Sequence, residues 1–134
     1  MILVDSGPLV AIVDRDDQHH RACVAALKSI KEPMATLWPV LTEVMYFLRR
    51  HPHDQEQIWK MIAQGPIQVL SLSPSDLPGI RELMIKYSNR PMNLADAALI
   101  RVAEREGIRQ IFTVDRGDFS VYRLHGSIRP RVIP

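Results

Sequence analysis

Residues 2–7 read ILVDSG. Ile2, Leu3 and Val4 form a continuous aliphatic run, the pattern of a strand buried on both faces. The run stops at Asp5. A carboxylate at the tip of a core strand is costly unless hydrogen bonds or a cation compensate it. The same arrangement recurs at residues 110–115, QIFTVD, where Asp115 closes a second strand.

Working outward from residues 1–5, Gly7-Pro8 punctuates the strand and Leu9 to Val13 suggest a short helix. Asp16 or Asp17 can cap a longer helix to about Ile30. Met34 to Leu37 is a short strand. Pro39 suits the first turn of a helix running to about Arg50, which His51-Pro52 breaks. A third helix covers about Asp54 to Gln64 and stops at Gly65-Pro66. Ile67 to Leu72 is a strand, and Pro74-Ser75 opens a helix reaching about Tyr87. Asn93 caps Leu94 to Glu106, and Gly107 ends it. Gln110 to Val114 and Arg129 to Ile133 are the last strands. Strands alternating with helices indicate an α/β fold with a mostly parallel central sheet, whose functional crevice lies beyond the carboxyl ends of the strands.

The chain has 134 residues, 46% hydrophobic and 24% charged, which suits one soluble domain spanning 1–134. A net charge of +2 permits a nucleic-acid partner without requiring one. The single cysteine, Cys23, cannot form an internal disulfide, and no signal-like segment opens the chain, so a cytoplasmic location is expected. No apolar run approaches the roughly 20 residues that span a bilayer.

Four acids stand at the junction of core and crevice. Asp5 and Asp115 close strands. Glu43 borders the apolar stripe of helix 39–50, beside Val40 and Phe47, and Asp96 borders that of helix 94–106, beside Ile100 and Ala103. Thr113 and Asp115 share strand parity. Taken singly, each acid has an ordinary reading. Asp5 is a turn or cap residue, Glu43 is solvated, Asp96 is a first-turn acid, and Asp115 starts a type I turn through Arg116-Gly117. Taken together, they repel unless protonated or bridged by cations, and an all-oxygen set suits Mg²⁺ or Mn²⁺. Such an ion lowers the pKa of water and stabilises charge on a phosphoryl oxygen. No Gly-rich phosphate loop is present, and this chemistry needs no Ser-His-Asp or Cys-His pairing.

Other features weigh less. His19 and Cys23 are i,i+4 on one helix, but His20 faces elsewhere, so zinc is disfavoured and Cys23 is a core residue. Trp38 and Trp59 are expected in packing or a subunit interface, with base stacking as the alternative. Arg49, Arg50, Arg90, Arg101 and Arg116 are candidate phosphate contacts, with Arg90 and Arg116 preferred because they flank the proposed acids.

The stretches MILVDSGPLVAIVDRDD, WPVLTEVMYFLRR, PMNLADAALIRVAE and IFTVDRGDF resemble, in order and spacing, a PIN-domain protein of the VapC type, the ribonuclease toxins of toxin–antitoxin modules. The resemblance covers essentially the whole chain. It implies a three-layer α/β/α fold and a Mg²⁺- or Mn²⁺-dependent endoribonuclease. It makes Asp5, Glu43, Asp96 and Asp115 the catalytic and metal-holding acids, with Asp118 a rival for the fourth place. Ser6, Asn93 and Thr113 take supporting places. Relatives often carry an acid where this chain has Asn93, so two ions are not assumed. The resemblance further implies an antitoxin partner and a homodimer. Two other readings remain: a non-catalytic RNA- or protein-binding module that retains the fold, and a phosphoacceptor signalling domain. The latter would require a mid-chain strand-end Asp with a nearby Lys, and none of the four lysines fits.

Overall fold

The computed structural model describes all residues from 1 to 134. Five strands form one fully parallel sheet: β1 (Ile2–Val4), β2 (Met34–Leu37), β3 (Ile67–Leu70), β4 (Gln110–Phe112) and β5 (Arg131–Ile133), in the order β3-β2-β1-β4-β5. Seven helices connect them: α1 (Ser6–Val13), α2 (His20–Ser29), α3 (Trp38–Phe47), α4 (Pro52–Ala63), α5 (Leu77–Lys86), α6 (Leu94–Glu106) and α7 (Arg116–Val121). The chain steps from β1 out to β3, then crosses back to β4 and steps the other way to β5. Right-handed crossovers therefore place α1–α4 on one face and α5–α7 on the other. The strand order reverses between β1 and β4, so the crevice at this switch point opens beyond Val4 and Phe112.

The aliphatic runs form the core because a parallel sheet covered on both faces leaves no strand side for water. Ile2, Leu3, Ile111 and Phe112 are completely buried, as are Val40 and Val44 of α3 and Leu99, Ile100 and Val102 of α6. One buried acid holds two elements together. Asp76, at the end of a 3-10 turn (Pro74–Asp76), accepts from the Ser73 amide at 3.0 Å. It also accepts from Arg101 Nε at 3.0 Å and Arg105 Nη1 at 2.6 Å, both on α6. The Ser73 amide and then the two guanidiniums hold its carboxyl below the usual range, against burial.

Several boundaries differ from those expected. Helix α1 starts at Ser6, not Leu9, because Gly7-Pro8 lies inside its first turn, where a missing N–H leaves no intrahelical bond unmade. Helix α2 starts at His20, because the Asp17 carboxylate accepts from the His19 amide at 2.8 Å and forms a turn instead of a cap. Helix α3 stops at Phe47 and α4 begins at Pro52, two residues before Asp54. Strand β3 ends at Leu70, and β5 begins at Arg131 rather than Arg129. Strand β4 ends at Phe112, so the strand parity assumed for Thr113 and Asp115 does not apply. Asp115 caps α7 instead of opening an isolated turn. No helix is long and apolar enough to cross a membrane.

Candidate active site

The crevice is built from four elements. Asp5 follows β1 and N-caps α1, and its Oδ1 accepts from the Ser6 amide at 2.7 Å. Its Oδ2 accepts from the Thr113 hydroxyl at 2.8 Å. The same Thr113 oxygen accepts from the Asp115 amide at 3.0 Å. One completely buried hydroxyl thus ties the end of β1 to the loop after β4. That loop approaches so closely that a Cβ on Gly7 would stand 2.5 Å from Val114 Cγ2. Glycine is therefore required there for the close approach.

Asn93 does two things at once. Its Oδ1 caps α6 by accepting from the Asp96 amide at 2.8 Å, and its Nδ2 donates to Glu43 Oε2 at 3.2 Å. The neutral amide thereby orients the α3 acid from the start of α6. Asp96 is buried in the first turn of α6, and Tyr122 Oη donates to its Oδ2 at 3.1 Å. Asp115 Oδ1 accepts from the Asp118 amide at 3.0 Å, and Asp118 pairs with Arg90 at 3.0 Å.

Asp5, Glu43, Asp96, Asp115 and Asp118 all line one pocket of about 240 Å³, together with Ser6, Asn93 and Phe47. Burial pushes the Asp5 carboxyl up to about 6, and the charges of Glu43 and Asp115 add to it; the Ser6 and Thr113 bonds offset only part. Asp96 is pushed up to about 7, first by burial and then by Asp5, with Asp115 and Glu43 contributing. Burial also raises Asp115, and the neighbouring Asp118 carboxylate adds to the shift. The acids sense one another, and hydrogen bonds alone leave their charge incompletely compensated. An all-carboxylate donor set with excess negative charge fits a hard divalent cation. No three His, Cys, Asp or Glu side chains stand together in a ligating arrangement. A hydrated ion held by one or two carboxylates matches that geometry best.

The other proposed contacts divide. Arg90 reaches the site through Asp118. Arg101 is engaged by the buried Asp76 and is not a free phosphate contact, whereas Arg49 is exposed, with its guanidinium over the Tyr46 ring at 4.2 Å. Arg116 is exposed on α7 and does not line the pocket. Cys23 is completely buried, as expected of a core residue, and burial pushes its thiol up to about 11. Sequence reasoning missed Tyr122. It is completely buried against Phe119 and Tyr87, and its link to Asp96 joins residues 26 positions apart with no local pattern.

A doubly wound parallel sheet with carboxylates gathered at its switch point defines an α/β domain with an acidic crevice. The PIN domain family model matches residues 2–123, and the chain belongs to the PIN domain family. It is similar to Ribonuclease VapC26 of Mycobacterium tuberculosis (strain ATCC 25618 / H37Rv), 27% identical over 135 residues, covering 99% of this chain and 100% of that protein. Among solved structures it resembles Mycobacterium tuberculosis VapC20, described as a sarcin-ricin loop cleaving toxin, with a TM-score of 0.80 at 18% identity over 87% of this chain and 92% of that one. It also resembles a toxin–antitoxin complex from Klebsiella pneumoniae, with a TM-score of 0.71 at 16% identity over 100% of this chain and 97% of that one. At these identities the two structures bear on the fold alone.

Proposed function

We propose that residues 1–134 act as one PIN-like nuclease domain, a metal-dependent endoribonuclease that serves as the toxin of a toxin–antitoxin pair. The observation that carries this reading is the gathering of Asp5, Glu43, Asp96 and Asp115 around one pocket, where burial raises Asp5 and Asp96 and the neighbouring acids add to both shifts. A pure binding surface gives no reason to gather repelling carboxylates. Family membership and the likeness to a protein named as a ribonuclease support RNA as substrate, and the toxin–antitoxin complex among the fold neighbours supports an antitoxin partner. A homodimer and a cytoplasmic location belong to the same reading.

Asp5, Glu43, Asp96 and Asp115 would hold the cation between them, one or two directly and the rest through its water shell, and Asp118 stands beside Asp115 as the outer acid. When bound, Mg²⁺ or Mn²⁺ supplies a Lewis acid that activates water and neutralises phosphoryl charge. The chain's own part is positioning. Thr113 and the Ser6 amide fix both oxygens of Asp5, Asn93 turns Glu43 inward, and Tyr122 fixes one oxygen of Asp96. Arg90 and Arg116 are proposed to meet flanking phosphates; the surface pair of Arg90 with Asp118 is weak enough to exchange for one.

The test is incubation of the purified protein with end-labelled RNA, with and without Mn²⁺. Cleavage is expected only with the cation and should leave 5′-phosphate and 3′-hydroxyl ends, since water and not the RNA 2′-hydroxyl attacks. Asp5→Asn and Asp96→Asn should remove most of it. Undiminished cleavage in excess chelator, or 2′,3′-cyclic phosphate ends, would sink the reading.

A further inference from the structure

A second pocket adjoins the acids. Trp38 is the first residue of α3, set at the carboxyl edge of β2, and Leu94 is the first residue of α6. Both are large apolar side chains left in water, Trp38 60% exposed and Leu94 53% exposed. With Pro39 and Ala95 they wall a pocket of about 470 Å³. Glu43 and Asn93 line this pocket and the acid pocket alike, so the two spaces share a partition. Apolar surface left open beside a polar site marks a place where something binds.

Resting on the ribonuclease reading, we propose that this pocket is a nucleobase subsite, with the Trp38 indole as the platform on which a base next to the scissile phosphate stacks. The shared partition supplies the distance argument. A phosphate placed against the acids has its neighbouring nucleoside one step away, and the step toward α3 leads into the Trp38 pocket. The chemistry also matches. Every base has an apolar π-face, and an indole takes it without regard to the hydrogen-bonding edge. Asn93 gives its Oδ1 to the Asp96 amide and one Nδ2 hydrogen to Glu43, so its amide is held in place in the partition, and the broad face the pocket offers to a base is the Trp38 indole. Stacking strength then orders the preference, purines above pyrimidines.

The chain has two tryptophans, so Trp59→Phe on α4 leaves Trp38 as the sole reporter. Full-length protein carrying Trp59→Phe, with Asp96→Asn to slow turnover, is titrated in Mg²⁺ buffer with labelled purine, pyrimidine and abasic oligoribonucleotides. Binding is followed by anisotropy and Trp38 by its emission. Saturable quenching is expected, deepest with purine and absent at an abasic position. In the active background, Trp38→Ala should raise KM by roughly 5- to 150-fold, the loss of one base–aromatic stack. It should leave kcat within about threefold, as for an interaction made equally in the ground and transition states. Trp38→Phe should restore most of the affinity. RNA that binds while Trp38 emission and KM stay unmoved overturns the subsite and leaves the ribonuclease reading intact. A parent protein that neither binds nor cleaves RNA overturns both. Conversion of a dimer to a monomer by Trp38→Ala, with emission insensitive to RNA, makes the pocket a subunit contact and likewise overturns the proposal.

Discussion

At Asp115 one carboxylate has two tasks. Its Oδ1 accepts from the Asp118 amide and caps α7, while the side chain also lines the acid pocket. Asp118, two residues into α7, gives its Oδ1 to Arg90 in a pair whose side chains are 31% and 48% exposed. Exposed pairs of this kind contribute about 0–1 kcal/mol. The two residues therefore separate cleanly on substitution. Asn caps a helix as well as Asp does, so Asp115→Asn removes charge from the site without unwinding α7. It should weaken Mn²⁺ binding by at least ~10-fold, the lower end of what even a supporting residue of a metal site costs. Asp118→Asn should release Arg90, shift metal affinity by less than that, and lower stability by under ~1 kcal/mol. Calorimetric titration of Mn²⁺ into both variants decides the matter. Loss of the ion in Asp118→Asn with retention in Asp115→Asn would reverse the assignment.

The element scale is where a close approach of two chain segments sets the crevice. The N-terminus of α1 and the loop between β4 and α7 meet at Gly7 and Val114 with no room for a methyl group. Gly7→Ala should force them apart at a cost of roughly 1–3 kcal/mol, the usual range for overpacking. It should also depress activity, because Thr113 bridges the same two segments. Chemical denaturation and single-turnover cleavage measure the two effects. A variant as stable and active as the parent would show that the loop gives way freely. How much of this was legible in the sequence follows from the range of each interaction. Asp5 announced itself as a charge ending an aliphatic run, and Asn93 as a cap before an amphipathic stretch, because both signals are local. Helix α7 did not, since RGDFSV is one and a half turns with a glycine and no repeating apolar face. The Tyr122–Asp96 bond and the Asp76–Arg101–Arg105 cluster join residues 25 or more positions apart, and no local spacing encodes them. Ser6-Gly7-Pro8 misled because a turn signal and the first turn of a helix tolerate the same residues.

For the whole molecule, the acid pocket makes stability depend on pH in a direction opposite to that of most carboxylates. Asp5 and Asp96 titrate at about 6 and about 7 in the folded chain against 3.8 as free side chains. Between those limits the folded state binds more protons than the unfolded one. Stability therefore falls as pH rises through the window and stays low above it. Asp76 has the reverse sign: its carboxyl is depressed, so its contribution is complete above 3.8 and is lost only in stronger acid. It is flat where the site acids vary. In chelator, the melting temperature should rise as pH is lowered from about 8 to about 5, by several degrees, given roughly 2–8 °C per kcal/mol for domains of this size range. Asp96→Asn is the cleaner control. Its amide oxygen can still accept from Tyr122, whereas an amide at position 5 would face two donors with one acceptor atom. That variant should melt above the parent at the higher pH and show a shallower pH dependence. Saturating Mn²⁺ at the higher pH should raise the parent's melting temperature and leave Asp96→Asn nearly unmoved, since a cation and a proton relieve the same repulsion. A metal-free parent that grows steadily more stable from about pH 5 to about pH 8 would mean that the pocket carboxylates are compensated within the chain and do not await a cation.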